Sequence, residues 1–326
     1  MSYATLALAV AFAVFAAVNV AISPVALALW RAARRDPDGA RARDRAAGLF
    51  LVRFLPAVVA MPVVAGLVLP AFHIFEPRET GEVAGASLLA LAAAGALLVA
   101  FGVGRGLRAL HLTRCMVREW MRRAQPVQLH DSRLQAFRIE SDFPVVAVVG
   151  LVRPRLLVAR RVLEACTPQQ MRAVIAHEAA HLASWDNLKR FAIRSCPDLL
   201  GLTPAARRME RDWSHAAEEA ADDRATSAAG SAPVDLAEAL LAVARLAPEQ
   251  HGLGAPVSAL YERAGVERRV RRLLDRGARQ RRVPVWVITA RTLGLTAVAA
   301  ALAGLIDVRL LAGVQEFIEV VVSTLP

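Results

Sequence analysis

Residues 167–183, TPQQMRAVIAHEAAHLA, carry the local signal from which the fold of this chain can be worked out. Thr167 is a good helix cap, Pro168 suits the first helical turn, and Gln170 completes a capping-box pattern. The sequence therefore predicts a helix over residues 168–183.

Two histidines and a glutamate form the pattern HEAAH inside this helix, namely His177, Glu178 and His181. Because the histidines are four residues apart, both imidazoles lie on one helical face and can reach one metal ion. Glu178 stands beside the first histidine, where it can accept a proton from a water activated by zinc. The alternative is a pair of surface histidines. The helix is otherwise apolar, however, and buried titratable groups need partners, so the sequence favours one catalytic Zn²⁺.

A catalytic zinc site needs a third protein ligand, and an acidic segment downstream offers candidates. Residues 213–225, WSHAAEEAADDRA, contain two pairs with four-residue spacing, Glu218 with Asp222 and Glu219 with Asp223. In either pair the Glu can bind zinc while the Asp, one turn later, orients a ligand histidine. Spacing alone does not separate the two pairs, and a solvated acidic helix face is the alternative.

The sequence around these motifs predicts an α+β domain with a small sheet. Residues 144–159, PVVAVVGLVRPRLLVA, predict a strand, a turn and a second strand. The predicted strands cover residues 127–130, 134–139, 145–149 and 156–158. Further helices are predicted over residues 186–195, 204–229, 234–246 and 257–274.

Four long apolar runs outside this domain predict membrane spans. Hydrophobic residues make up 56% of the 326 residues, and the mean hydropathy is +0.40. The runs cover residues 3–29, 48–72, 84–103 and 283–306, and each is long enough to cross a hydrocarbon core of about 30 Å. The first run lacks the basic start of a signal peptide, so we interpret it as an uncleaved span. Arg291, inside the fourth run, is expected to reach towards the nearer membrane surface.

The loops between the apolar runs predict the orientation. Residues 31–45 carry six Arg against three Asp, whereas residues 73–83 carry three Glu against one Arg. Arg-rich segments also follow the third run and precede the fourth. By the positive-inside rule, the long central segment lies in the cytoplasm and both termini lie outside.

The net charge of +11 raises nucleic acid as an alternative partner. The excess Arg lies beside the apolar runs, and no nucleic-acid recognition motif accompanies it, so membrane orientation explains the charge. The three cysteines, Cys115, Cys166 and Cys196, are far apart in the predicted cytoplasmic segment, which favours free thiols.

The chain is thus predicted to have four parts. They are three membrane helices (residues 1–104), a cytoplasmic zinc metallopeptidase domain (105–282), a fourth membrane helix (283–306) and a short extracytoplasmic tail (307–326). The predicted fold class is an α-helical integral membrane protein with a mainly α, α+β zincin-like cytoplasmic domain that carries a small β-sheet.

The segment HEAAHLASWDNLKR (177–190), followed by AAEEAADDRA (216–225), resembles the membrane-embedded gluzincin peptidases. The greatest similarity is to the β-lactam-sensing antirepressor family of bacterial signalling, in which three spans precede a cytoplasmic HExxH domain and a fourth span follows it. The upstream pattern GLVRPRLLV and the late segment VERRVRRLLDR (266–276) also resemble that family. The resemblance covers about residues 144–276.

The resemblance implies roles for individual residues. It places the zinc-binding glutamate at Glu218 and assigns Asp222 to a hydrogen bond with a ligand histidine. Asp186 matches an Asp often seen after the motif, and we interpret it as a partner of the site or a helix cap. His215, one turn before Glu218, is a candidate oxyanion donor, although an inert surface histidine is an equally good interpretation.

Two features limit the resemblance. A related group, the membrane stress and prenyl-protein endopeptidases, shares both motifs but commonly has spans between them. Here residues 187–215 carry six Lys and Arg, so the antirepressor-like group is favoured. Residues 307–326 are too few for the extracellular sensor domain of the signalling members, so β-lactam sensing is not expected.

The sequence therefore predicts an integral membrane zinc endopeptidase of the bacterial inner membrane. Glu178 is its general base, and His177, His181 and Glu218 are its zinc ligands. The expected partners are the lipid bilayer and a cytoplasmic or membrane-proximal protein or peptide substrate, with no nucleic acid; the sequence specifies neither the substrate nor the oligomeric state. The alternative is a non-catalytic membrane scaffold, against which the intact Glu178 argues.

Overall fold

The computed structural model describes residues 2–36, 39–77, 85–129, 134–141, 143–150, 154–227, 232–246, 263–275 and 283–324. Its elements in chain order are α1 (Tyr3–Arg35), α2 (Ala42–Val63), a π-helical turn (Val64–Val68), α3 (Leu69–Phe75), α4 (Ala86–Arg122), β1 (Gln125–Val127), β2 (Ala136–Ile139), β3 (Val146–Val149), β4 (Arg155–Ala159), α5 (Arg160–Ala165), α6 (Pro168–Ala183), α7 (Asp186–Ser195), a 3-10 turn (Leu199–Leu202), α8 (Pro204–Thr226), α9 (Ala232–Leu246), α10 (Arg263–Leu274), α11 (Val285–Ile306) and α12 (Val308–Thr324).

Among the described residues, four helical segments are long and apolar enough to cross a membrane, and they coincide with the four predicted spans. They are α1, the continuous segment from α2 to α3, α4 and α11. Pro56 and Pro62 do not end the second segment, although each lacks an N–H and removes one helical hydrogen bond, and a π-helical turn follows Pro62. The prediction of four apolar helices is therefore confirmed.

α4 continues beyond its apolar part to Arg122 and lies against the end of α7. A Cβ added to Gly106 would lie only 2.7 Å from Ser195 Cβ, so glycine permits this close approach. Arg105, one residue earlier, donates to the carbonyl oxygens of Cys196 (2.8 Å) and Gly201 (3.1 Å). The two segments are thus joined by packing and by charge-assisted hydrogen bonds.

The four strands form one mixed sheet in the order β1-β2-β4-β3. β2 and β4 are parallel, while β1 and β3 each pair antiparallel with their neighbour and form the two edges. β1 begins two residues earlier than predicted, at Gln125, because Gln125 pairs with Arg138 of β2. Gly150 follows β3 with φ of 103°, a conformation that favours glycine. The rest of the predicted turn, residues 151–153, lies outside the described residues.

α6 packs against the sheet and has the predicted bounds. Its capping box is formed on both sides, since the Gln170 N–H donates to Thr167 Oγ1 (3.3 Å) and the Thr167 N–H donates to Gln170 Oε1 (2.9 Å). The core between sheet and helices includes Leu157 of β4, Ile175 of α6 and Ala239 of α9, all buried. The sheet therefore supports the helix that carries the HEAAH residues.

The remaining helices of the central segment also follow the predictions. α7 and α8 begin where predicted, and α9 begins two residues earlier. The predicted end of α8 at residues 228–229, the predicted start of α10 at residues 257–262 and the domain end at residues 276–282 lie outside the described residues.

The core of α8 is continuous with the apolar helices. Trp213 is fully buried in a cluster that includes Val52 and Leu55 of α2, Trp30 of α1 and Trp286 of α11. The helix that carries the acidic motif therefore packs directly against the predicted membrane bundle.

Arg53 lies inside the second apolar segment and is buried in an ion pair. Its Nη1 atom lies 2.5 Å from Asp198 Oδ2, and both side chains are almost completely buried. Arg291 of α11 instead pairs with Asp44 near the start of α2 at 3.7 Å, and its side chain is half-exposed. Two charges that interrupt the predicted spans thus have partners at the end of the bundle nearest the central domain.

The segment after α11, which was predicted as a short extracytoplasmic tail, contains a helix. The structure shows a 17-residue helix, α12, that packs on α3, and Gln315 donates to Glu76 at 2.7 Å. This helix was not predicted, although Asp307 precedes it and accepts from the Arg309 N–H at 2.9 Å, as a capping residue does.

Candidate metal centre

Three potential metal ligands meet between α6 and α8. His177 Nε2 lies 3.1 Å from His181 Nε2 and 3.4 Å from Glu218 Oε2, and His181 Nε2 lies 3.5 Å from Glu218 Oε1. Around a tetrahedral ion with bonds of about 2.0–2.1 Å, neighbouring ligand atoms are about 3.3–3.4 Å apart. These side chains therefore form a group that can hold one metal ion.

The chemistry of the donors fits zinc. Two imidazoles and one carboxylate leave a tetrahedral ion one open position, as catalytic zinc sites require. Glu218 Oε2 is fully buried. Arg269 Nη1 lies 3.1 Å and His177 Nε2 lies 3.4 Å from it, but among the described residues no donor is aligned to hydrogen-bond with it. A buried carboxylate oxygen without an aligned donor is expected where a cation binds.

The structure selects one of the two acidic registers on α8. Glu218 and Asp222 face the histidines, whereas Glu219 and Asp223 point to Arg residues of other helices. Glu219 lies 3.3 Å from Arg45 of α2 and also contacts Arg268, and Asp223 contacts Arg272. Adjacent residues on a helix are about 100° apart, so Glu219 and Asp223 are directed away from Glu218 and Asp222 and reach other helices.

A carboxylate lies beside the second nitrogen of each histidine. Asp186 Oδ2 forms a hydrogen bond with His181 Nδ1 at 2.7 Å, whereas Asp222 Oδ1 lies 3.0 Å from His177 Nδ1 at ion-pair distance without an aligned hydrogen bond. Such partners fix the ring orientation and direct Nε2 towards the metal. The chain reaches Asp186 through Trp185, an exposed residue in the left-handed conformation with φ of 58°. This turn brings Asp186 back towards the helix that carries His181.

Glu178 is buried next to the three ligands but is not one of them. Its Oε2 accepts a hydrogen bond from the Val148 N–H of β3 at 3.1 Å. Burial raises the pKa of Glu178, although His181, His177 and the Val148 N–H act in the opposite direction. A carboxylate with a raised pKa beside a metal group is suited to accept and then return a proton.

Arg269 of α10 completes the centre and was not singled out by the sequence analysis. It is 3% exposed, donates to both oxygens of Asp222 at 2.7 and 2.8 Å, and lies 3.1 Å from Glu218 Oε2. The spacing of the apolar residues along α10 could have indicated that Arg269 is buried. Arg269 shares a face with three apolar residues that pack in one cluster, namely Val266, Val270 and Leu273.

The charged groups of the centre shift one another's pKa values. Burial raises the pKa of Glu218, but His181 and Arg269 outweigh it and hold this pKa well below its usual range. For Asp222, Arg269 likewise outweighs burial and lowers the pKa to about 2. For His181, Glu218 and Asp186 outweigh burial and raise the pKa to about 10. Both carboxylates are thus charged at neutral pH, Glu218 as a potential metal ligand and Asp222 as the partner of Arg269 and His177.

A small apolar cavity of about 30 Å³ borders Glu178 and His177. Its other lining residues come from β3, α6 and α9, and they are Val146, Val174, Leu236, Ala239, Leu240 and Val243. A cavity of this size accepts only a small group.

His215 lies half-buried on α8, one turn before Glu218. It is not a member of the metal-binding group found among the described residues. Its role as an oxyanion donor stays a prediction.

Residues 113–244 match the model of peptidase family M48. The match includes the HEAAH residues and Glu218, and it supports a zincin-type metallopeptidase; peptidases of this family are typically zinc-dependent. No curated protein and no solved structure matches the chain. The resemblance to the antirepressor family is not confirmed. Arg269 lies outside the matched residues.

Proposed function

We propose that this chain is an integral membrane, zinc-dependent endopeptidase with His177, His181 and Glu218 as metal ligands. The observation that carries the proposal is the separation of the three ligand atoms, 3.1–3.5 Å, beside a buried carboxylate that is not one of them. The match of residues 113–244 to peptidase family M48 supports the same class.

The residues around the ligands have separate tasks in this proposal. When bound, zinc polarises the scissile carbonyl and lowers the pKa of a water to about 7. Glu178 accepts a proton from the attacking water and then delivers it to the leaving nitrogen. Asp186 and Asp222 hold the histidine rings, and Arg269 holds Asp222 in place.

The packing of α8 supports substrates that lie close to the membrane. Glu219, next to the ligand Glu218, contacts Arg45 at the start of α2, and Trp30 of α1 donates to Asp212 at 2.9 Å. The metal centre is therefore near one end of the apolar bundle. The Arg-rich loops support the proposal that this end lies on the cytoplasmic side of a bacterial inner membrane, with both termini outside.

The proposed substrates are extended segments of cytoplasmic or membrane-proximal proteins. β3 is an edge strand beside the metal group. The outward main-chain groups of Val148 are engaged by Glu178 and Asn187, so we propose that an extended chain pairs with the part of the edge at Val146. The resemblance to antirepressor peptidases suggests regulated proteolysis in signalling as the cellular role.

The test compares the purified full chain with its Glu178→Gln variant in detergent. Both proteins should contain about one zinc per chain, and the variant should cleave a mixed peptide library at least about 100-fold more slowly. Equal cleavage by the two proteins would contradict the proposal. A zinc-loaded wild type that cleaves no peptide in the library or in membrane extracts would favour the non-catalytic scaffold.

A further inference from the structure

The edge of β3 that does not pair with β4 faces the metal centre. β3 pairs only with β4 among the described strands, in the register Val146 to Val158 and Val148 to Leu156. The Ala159 N–H donates to the Val145 carbonyl at 2.7 Å, so Val145 points its main-chain groups towards β4. Because main-chain directions alternate along a strand, those of Val146 and Val148 point away from β4.

Both outward groups of Val148 are engaged by other elements. Its N–H donates to Glu178 Oε2 of α6 at 3.1 Å, and its carbonyl oxygen accepts from Asn187 Nδ2 of α7 at 2.8 Å. One strand residue therefore joins the proposed general base to the first turn of α7.

The same turn of α7 also reaches a metal ligand. Asp186 bonds His181 Nδ1 at 2.7 Å, and the next residue, Asn187, bonds the Val148 carbonyl. Two consecutive side chains thus fix the distance between the histidine helix and the edge strand. α7 itself is anchored at its other end, where Ser195 packs against Gly106 of α4.

We propose that Asn187 is a positioning residue for Glu178 and acts through Val148. The Asn187 amide holds the strand at the distance from α6 at which the Val148 N–H reaches Glu178 Oε2. This hydrogen bond orients the carboxylate and leaves its second oxygen for proton transfer. Neither Asn187 nor Val148 needs to contact the metal, and the inference rests on the proposed peptidase function only for its kinetic consequence.

The kinetic arm compares Asn187→Asp with the wild type. The variant has the same shape, but it places an oxygen acceptor against the Val148 carbonyl oxygen and repels the strand. We expect kcat to fall about 10–100-fold, the range for partners that orient a catalytic group, with KM within about twofold and zinc content unchanged. Leu188→Ala, an exposed neighbour on α7, is the matched control and should keep the wild-type kcat.

A second arm needs no catalysis. In metal-free protein, amide hydrogen exchange of residues 146–149 should be about tenfold faster in Asn187→Asp than in wild type or Leu188→Ala. If Asn187→Asp does not fold, Asn187→Ser, which shortens the side chain without adding a charge, provides the same comparison.

Three outcomes would overturn the positioning role. They are a wild-type kcat in Asn187→Asp, unchanged exchange of residues 146–149, and a fall in kcat that only follows a loss of zinc. The last would mean that the turn acts on His181 through Asp186. A wild type without peptidase activity contradicts the proposed function instead, and the exchange arm then still decides whether Asn187 holds the strand.

Discussion

Arg269 donates two hydrogen bonds to Asp222, from Nη2 to Oδ1 at 2.7 Å and from Nε to Oδ2 at 2.8 Å. Asp222 in turn lies 3.0 Å from His177 Nδ1. A residue of α10, beyond the segment that matches the peptidase family, thus fixes the partner of a proposed zinc ligand. Both Arg269 and Asp222 are buried, so neither charge can be replaced by solvent.

Arg269→Met should destabilise the metal-free protein more than the zinc-loaded protein. The substitution leaves Asp222 and Glu218 buried without their cation, and breaking a buried ion pair costs about 3–5 kcal/mol. Bound zinc neutralises the charge of Glu218 and therefore restores part of the lost stability. The measurement is the thermal midpoint in detergent with and without zinc. Arg271→Met is the control, because this Arg pairs with Glu267 on the exposed face of the same helix and should matter little.

Zinc uptake should release protons between about pH 7 and pH 9. In the metal-free protein Glu218 and Asp186 outweigh burial and raise the pKa of His181 to about 10, so the imidazole holds a proton that zinc must displace. Zinc affinity should therefore rise with pH through this window. The same raised pKa stabilises the metal-free fold fully below about pH 6.5, and this contribution is lost as the pH approaches 10.

Calorimetry in two buffers of different ionisation enthalpy measures the proton release directly. Asp186→Asn removes one of the charges that raise the pKa of His181, so fewer protons should be released at pH 8. A zinc-binding enthalpy that is the same in both buffers at pH 8 would show that His181 is already neutral there.

Arg53→Met should lower stability by about 3–5 kcal/mol, because it leaves the Asp198 carboxylate buried without a cation. The double variant Arg53→Met with Asp198→Asn should recover part of this loss, since the amide oxygen can still accept from the Gly201 N–H. The measurement is urea or thermal unfolding of the full chain in detergent. Arg291→Met, which breaks a half-exposed pair, is the comparison and should have a small effect. A double variant that is no more stable than Arg53→Met alone would contradict this account.

The features that local sequence determines could be predicted. Thr167 and Gln170 define the start of α6 by hydrogen bonds within one turn, and the apolar runs define the four long helices by composition. The choice between Glu218 and Glu219 could not be predicted from spacing, because both residues satisfy it equally. It depends on where Arg45 of α2 lies in space.

Arg269 shows a related limit. It is one of five Arg between residues 268 and 276, and only its position on the apolar face of α10 distinguishes it. That face is visible in the sequence, but the partner that makes a buried Arg stable, Asp222, lies on another helix. Whether such an Arg is buried and paired depends on contacts between distant segments. A single sequence does not show those contacts.

The central segment, predicted as a domain over residues 105–282, should not fold as a soluble protein on its own. Trp213 of α8 is fully buried against α1, α2 and α11, and Met209 and Ile193 belong to the same cluster. Without the apolar helices these side chains would form a large exposed apolar patch, which soluble proteins rarely tolerate. Polar links would be lost as well, because Glu219 would lose its contact with Arg45.

Expression of residues 105–282 alone should therefore give aggregated protein that does not bind zinc stoichiometrically, whereas the full chain in detergent binds about one zinc. The matched test in the full chain is Trp213→Ala, which should cost about 3–5 kcal/mol through the cavity that it leaves. Val234→Ala, at an exposed position of α9, is the control and should leave stability nearly unchanged. A monomeric, zinc-binding fragment would show that α8 does not need the bundle to hold Glu218 in place.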